Sequence, residues 1–500
     1  MTTLPQITRS PSSVKLLLVK LFEDAVDELI ADLPADGRAI ELAVWKALLA
    51  VGREMLTALL SMACWRVSEP AVTATPGARL RLDGNYRLQQ NTTLGTVSVP
   101  LFAFRDSDGK THSPARKAVF PLHPACRSSV LMLEWEARLG SQLPYRQAEE
   151  ALHFFTHGAS SVEDTTIARH LSMTGAVIDR SWTYRKASDI AEILATQATR
   201  DAETGKPLVY LSTDAHALRR YTDETFDSSW KMINGIRMWC VDRTNGQIIH
   251  LGGEYTWGDC REVAACFRSL VADYVPQGEG APQVVLVTDG MEWIRTWVAP
   301  EMPSGTQLIL DFYHVMEHVA TCARTRFGAG TTQAKSWYAR VRNALIGKRV
   351  QKKKKQTTRE GHRKTKRALR VRKTTHQSSD PHGAGNDLAW SLLEEHVPES
   401  APYRKAHEAL AAYVGENEDR MDYPRYRARG LQIGSGAMES LHRIASQMRL
   451  KLAGARWLAE NALAVLNARL MLLAGRWADF WESDRLTPLL VEAFGVDDAS

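Results

Sequence analysis

Three apolar runs in the middle of the chain each stop on an aspartate. They are "KPLVYLSTD", closing on Asp214, "QVVLVTD", closing on Asp289, and "TQLILD", closing on Asp311. Short runs rich in Val, Ile and Leu read as strands buried on both faces. After the first come "KMINGIRMWCVD" and "QIIHLGGEYTW", joined by the turn "RTNG". Helical patterns then alternate with the remaining strands, so the order over 205–327 is β-β-β-α-β-α-β-α. A meander followed by crossovers returns the later strands beside the first, which predicts an open mixed sheet with helices against it. A carboxylate inside a buried strand would lose its hydration at a high cost. At a strand's C-terminal end it can face the cleft where open sheets bind ligands. One such acid decides little, because Asp-Gly is also a turn signal. In this strand order, however, Asp214 and Asp289 stand side by side. Like charges so placed repel unless a cation intervenes, and Mg²⁺ (or Mn²⁺) suits carboxylate oxygens that also meet a phosphate.

Five hundred residues predict two to four domains. We expect an N-terminal helical region (1–75), a small strand-rich region (76–140) and a helix-turn-helix DNA-binding region with linker (141–200). The first part of the sheet (205–327), a helical insertion (328–430), a final helical part of the core (431–475) and a tail (476–500) complete the chain. In 141–200, "YRQAEEALHFF" and a helix opening at Ser160 flank Gly158. Two short helices about a glycine predict a helix-turn-helix, with a Ser160–Glu163 capping box. Ser161, Thr165, Thr166, Arg169 and His170 would then face outward toward a DNA groove. An ordinary helical hairpin gives the same pattern.

The charge is unevenly spread. Net charge is +6, yet 348–373 holds 14 Lys/Arg against one acid, a local +13, leaving 6 − 13 = −7 for the rest. A segment such as Lys352-Lys353-Lys354-Lys355 repels itself unless a polyanion neutralises it. It reads as a solvated loop, and such a loop can still grip phosphates. The six cysteines form no C-x-x-C pair, so neither a zinc knuckle nor a disulfide framework is signalled. No run approaches the ~18 apolar residues of a membrane span, and no signal-peptide core is expected. The expectation is a cytoplasmic, nucleoid-associated protein without a membrane partner.

"LSTDAHAL", "VLVTDGMEW" and "GSGAMESLHR" together resemble the RNase H-like DDE transposases: a first-strand Asp, a fourth-strand Asp and a later helical Glu. "LDFYH" is similar to the D-x-x-H signature of Mutator-like members. "GSGAMES…QMRLKLAGARW…NALAVLNARL" resembles bacterial insertion-sequence transposases of the ISKra group, and the likeness covers roughly 205–475. The resemblance implies Asp214, Asp289 and Glu439 as catalytic metal ligands, with Asp311 and His314 accessory. It implies double-stranded DNA (element ends and target) as substrate, a homo-oligomer on DNA, and two metal ions that activate water and then a 3′-hydroxyl. Arg443, Arg449 and Lys451, with His442, would hold phosphates beside Glu439, or form a solvated basic face. Asp289 and Glu439 are 150 residues apart, which the family accommodates by a helical insertion. Glu301, Glu317 and Glu394 compete with Glu439 by sequence alone. A domesticated, inactive DNA-binding regulator is the alternative function. A haloacid-dehalogenase-type phosphatase would need D-x-D where this chain has Asp214-Ala215-His216.

Overall fold

The computed structural model describes residues 11–34, 36–75, 79–81, 87–123, 125–221, 228–347 and 400–495. The basic segment 348–373, with Lys352 to Lys355, and Glu394 lie outside them. The chain divides into two compact units: 1–185 with 217–232 and 443–500, and 186–216 with 233–442. The expected final core part, 431–475, is therefore split after His442.

The second unit is built on a mixed five-stranded sheet in the order β10-β9-β6-β7-β8. Its strands are β6 (Leu208–Tyr221), β7 (Ser228–Val241), β8 (Ile248–Thr256), β9 (Gln283–Thr288) and β10 (Gln307–Leu310). β9 runs parallel to β6 and β10, and β7 antiparallel to β8. The predicted strand sequence and crossovers are present. The strand carrying Asp214 does not end there: β6 continues to Tyr221. β9 stops at Thr288, and its pairing with β6 runs as far as Leu211–Leu286. Asp214 thus stands where β6 outruns its parallel neighbour, which provides the open edge that a strand end was expected to provide.

Tyr210 and Trp239 stack at 5.5 Å in the core of this sheet. Both are fully buried, and burial of one such side chain contributes roughly 2–3 kcal/mol. The same core takes in Phe312, Val315 and Val319 from the helix Phe312–Phe327, Trp337 from Thr332–Leu345, and Leu410 and Val414 from Ala401–Asn417. The described helices of the expected insertion therefore share the sheet's core and have no separate one of their own.

The first unit opens with helices Pro11–Ala31 and Gly37–Ala74. Strands β1 (Arg79–Arg81), β2 (Arg87–Thr92), β3 (Gly95–Pro100), β4 (Ala103–Arg105) and β5 (Thr111–His112) follow. β2 and β3 form a hairpin, and β4 and β5 turn about Asp108-Gly109, as alternation and Asp-Gly predicted. Cys64 of the long helix packs with Val97, Val99 and Phe102. One expectation needs correction here. Gly37–Ala74 contains an 18-residue window of mean hydropathy 1.5, so by length and composition it is apolar enough to cross a membrane.

The two helices about Gly158 are Tyr145–Phe155 and Asp164–Ala176. The capping box is absent. Ser160 Oγ instead donates to Thr92 O, and the second helix begins at Glu163 without a side-chain cap. A partner distant in sequence outcompeted the local one. Ser161, Thr165 and Arg169 are exposed, as expected, but His170 is buried. Its Nδ1 lies 2.5 Å from Glu136 Oε2, and although burial opposes charge, hydrogen bonds to Cys126 and Glu136 push its pKa up to about 9.

Candidate active site

The sheet register sets the geometry. Gln307 to Leu310 pair with Val285 to Thr288, and Leu208 to Leu211 with Gln283 to Leu286. Asp289 and Asp311 follow directly on the last paired residues, Thr288 and Leu310, and the β6 offset carried three residues past its last pair points to Asp214 as their neighbour. Asp311 N donates to Thr288 O at 2.7 Å, extending the β9–β10 ladder to this level.

Each aspartate has a different environment. Asp311 is fully buried and caps the helix Phe312–Phe327, accepting from Tyr313 N at 2.6 Å. Its other oxygen accepts from Ser435 N at 2.8 Å and from Ser435 Oγ. Phe312 N donates to Ile433 O at 2.8 Å. The 433–435 loop is thereby tied to the end of β10. Glycine at 434 lets the loop pass without displacing Tyr313, whose ring a Cβ would meet at 2.6 Å. The short helix Gly436–Leu441 leaves this loop with Glu439 in its first turn, pinned by Arg237 donating to Ala437 O.

Asp289 is followed by Gly290 at φ +87°, where a Cβ would meet Leu310 Cδ1 at 2.4 Å. Only glycine lets the chain leave the strand at this point. Met291 N donates to Asp289 Oδ1 at 3.1 Å, and Tyr413 Oη donates to Asp289 O at 2.5 Å. Burial, then the charge of Asp214, raises the Asp289 carboxyl above its ordinary range. Burial would raise Asp214 too, but His442, the Ala215 N–H and His314 outweigh it and hold Asp214 low. His442 Nε2 lies 3.5 Å from Asp214 Oδ2, and Tyr255 Oη is 3.1 Å from His442 Nδ1. The rings of His216 and His442 are 4.4 Å apart. Burial, followed by the charges of Asp289 and Asp311, raises the Tyr413 hydroxyl.

Asp311, His314 and Glu439 offer ligand atoms that all lie within 4.8 Å of one another. The expected trio Asp214, Asp289 and Glu439 does not form the group that closes in this way; the two residues read as accessory join Glu439 instead. Two carboxylates and an imidazole fit Mn²⁺ better than Mg²⁺, which prefers an all-oxygen set. Asp311 already accepts three hydrogen bonds, so little of its coordinating capacity remains. Asp214 and Asp289 supply the oxygen-only donors beside it. The residues present therefore fit a divalent cation.

The competitors of Glu439 are placed as well. Glu301 closes a bidentate pair with Arg268, both contacts at 2.7 Å. Glu317 is exposed, 3.8 Å from His314 Nδ1. Of the expected phosphate contacts, Arg443 and Lys451 are exposed but His442 and Arg449 are buried. His442 turns to Asp214. Arg449 lies over the rings of Tyr145 (4.6 Å) and Trp457 (5.1 Å) and donates to Gly140 O at 3.0 Å. The R-x-K-x-x-G-x-x-W stretch thus folds its Arg and Trp into an internal clasp. Nothing in the sequence pattern marks Tyr255 or Tyr413, which reach His442 and Asp289 only through the fold. His442 was visible at i+3 from Glu439, but its contact with Asp214 was not.

No family model and no curated protein matches the chain. Among solved structures it is similar to a chain of the Drosophila P element transposase strand transfer complex. The two share 11% identity over 69% of this chain and 92% of that one, with a TM-score of 0.28. A score so low carries no argument about fold or function.

Proposed function

We propose that the chain is a metal-dependent DNA transposase with an RNase H-like core, which cleaves the ends of a mobile element and joins them to target DNA. The observation that carries the reading is the level row of Asp214, Asp289 and Asp311 next to His314 and Glu439. That density of carboxylate on strand ends is costly without a cation and useful with one. Glu439 with His314 and the remaining oxygen capacity of Asp311 would hold the metal, and Asp214 and Asp289 would offer further carboxylate oxygens beside it. A bound divalent ion supplies activation of an attacking oxygen and stabilisation of the leaving one. Asp311 anchors the 433–435 loop and so aims Glu439. His442 orients Asp214 and moderates its charge before metal arrives. Tyr413 fixes the backbone carbonyl of Asp289. The +13 segment, and the exposed Arg169, Arg443 and Lys451, supply cations for phosphate contacts, and action on paired ends favours a homo-oligomer on DNA in the nucleoid.

The test is cleavage of a supercoiled plasmid carrying the DNA that flanks the coding sequence, in Mg²⁺ or Mn²⁺. Asp214→Ala and Asp289→Ala should each abolish cleavage while end binding survives. Normal cleavage by either variant would sink the reading. Deleting 348–373 should leave folding intact and flatten the salt dependence of DNA binding. Four lost phosphate contacts would change the slope by about 3.6, at roughly 0.9 each.

A further inference from the structure

The first helix has two apolar faces, and only one is covered. Val14, Leu17, Leu18, Leu21, Ala25 and Leu29 are buried or half-buried. Leu16 (72% exposed), Val19, Phe22, Val26, Ile30 (68%) and Leu33 stand open. Leu16, Val19, Val26 and Ile30 fall on the a and d positions of a heptad in which Glu23 occupies the one remaining a position, and Leu33 follows just past the helix end at Ala31. From Leu16 to Ile30 the stripe spans roughly 21 Å at 1.5 Å per residue. A contiguous uncovered apolar stripe marks a contact surface.

From the charges flanking this stripe we infer that it is a homodimer contact in which the first helices of two copies pack antiparallel. An antiparallel seam that sets Val19 against Ile30 and Glu23 against Val26 places Lys20 of one copy beside Asp27 of the second. Twofold symmetry makes that attraction twice. A parallel seam would instead oppose Lys15 to Lys20 and Glu23 to Glu23, and like charges at those positions set orientation against it. The same charges disfavour a membrane surface as the occupant. Residues 11–33 carry two lysines and five acids, 2 − 5 = −3, whereas helices that lie on lipid carry Lys and Arg on the polar face. This inference does not depend on the proposed chemistry.

Light scattering on the full-length chain tests it. The wild type should have about twice the 55.8 kDa mass of one chain at micromolar concentration. Val26→Asp puts a charge in the seam and should raise the dimer dissociation constant about a hundredfold or more. Circular dichroism and thermal unfolding of that variant should match wild type, because Val26 is exposed in the monomer. Lys20→Asp and Asp27→Lys should each weaken the dimer about two- to tenfold, and the double exchange should restore it. Tightening by Lys20→Asp would indicate a parallel seam and overturn the proposal. So would a monomeric wild type, whether or not it floats with phosphatidylcholine–phosphatidylglycerol vesicles, and so would a dimer indifferent to Val26→Asp.

Discussion

The two units treat buried charge in opposite ways. In the first, buried arginines turn chiefly to backbone carbonyls. Arg469 donates to Ala445 O at 2.7 Å and Ser141 O at 2.8 Å. Arg476 donates to Ser181 O and Tyr184 O, with Asp479 at 2.7 Å. Arg449 has its carbonyl and two rings, although its Nη2 is buried without a hydrogen-bond partner among the described residues. In the second unit, acids crowd one another. Asp289 is raised by burial and by Asp214, and Asp214 is rescued only by neighbours such as His442. A charge whose donors are all matched holds structure together. Carboxylates left facing one another are a cost that only a ligand can repay, and such sites are where function concentrates. The contrast is not simply one of unit against unit. Asp201, in the second unit, is held at about 2 by the hydrogen bond from Arg429 and belongs with the saturated group.

The largest effect expected from this contrast is on activity. Glu439→Gln keeps the shape of the side chain and removes the charge that would bind metal. Cleavage and strand transfer should fall by about a thousandfold, roughly 4 kcal/mol, with thermal unfolding near wild type. Retained activity would leave the site without its third acid.

Next in size is a loss of stability in the saturated group. Arg469→Met leaves carbonyls of Ala445 and Ser141 buried without their donor, at a cost of about 1–3 kcal/mol each. Unfolding of that unit should move down by several degrees, at roughly 2–4 °C per kcal/mol. DNA cleavage per folded molecule should be unchanged. If activity falls while the melting curve stays, the arginine belongs to the chemistry and the contrast fails.

A smaller and more diagnostic effect separates the two neighbouring aspartates without metal. A raised carboxyl pKa means that its ionised form is disfavoured in the fold. Its contribution to stability is full below the ordinary value of 3.8 and is lost as pH rises through the raised one. A lowered pKa works the other way: the stability contribution is present above 3.8 and goes as pH falls through the lowered value. At pH 7 in chelator, Asp289→Asn should therefore melt higher than wild type and Asp214→Asn lower, by about one to a few degrees each. Both differences should fade in acid. Added Mn²⁺ should raise the melting point of wild type more than that of either variant. Shifts of the same sign in both variants would mean the acids are not in conflict.

How much of this was legible in the sequence follows from which interactions are local. The strand runs, the crossovers and the helix Tyr145–Phe155 depend on periodicity, and periodicity was readable. The three aspartates needed only strand order to come level. Ser160 looked like a helix cap, but a backbone carbonyl 68 residues away took its hydroxyl. Arg449 looked like a surface cation because nothing in "QMRLKLAG" shows that Tyr145 and Gly140 wait for it. The end of β6 was misplaced because "AHALRRY" still alternates well enough to stay in the sheet. Gly37–Ala74 reads as an amphipathic helix until its charges are counted in an 18-residue window.

The smallest expected effect is the sharpest control on the choice of third acid. Glu301 was a rival of Glu439 by position in the chain. In the structure it closes a bidentate pair with Arg268, and Arg268 holds it below the ordinary carboxylate range. Arg268 is two-thirds exposed, so solvent and salt screen most of what the pair contributes. Glu301→Gln should thus leave cleavage within about twofold of wild type and the melting point within about 1 °C. Glu317→Gln, at an exposed position one turn from His314, should also retain activity but weaken Mn²⁺ binding slightly if His314 is a ligand. Should Glu301→Gln lose cleavage while Glu439→Gln keeps it, the saturated acid would be the active one. The distinction between matched and unmatched charge would then fail for this chain, even with Asp214 and Asp289 correctly assigned.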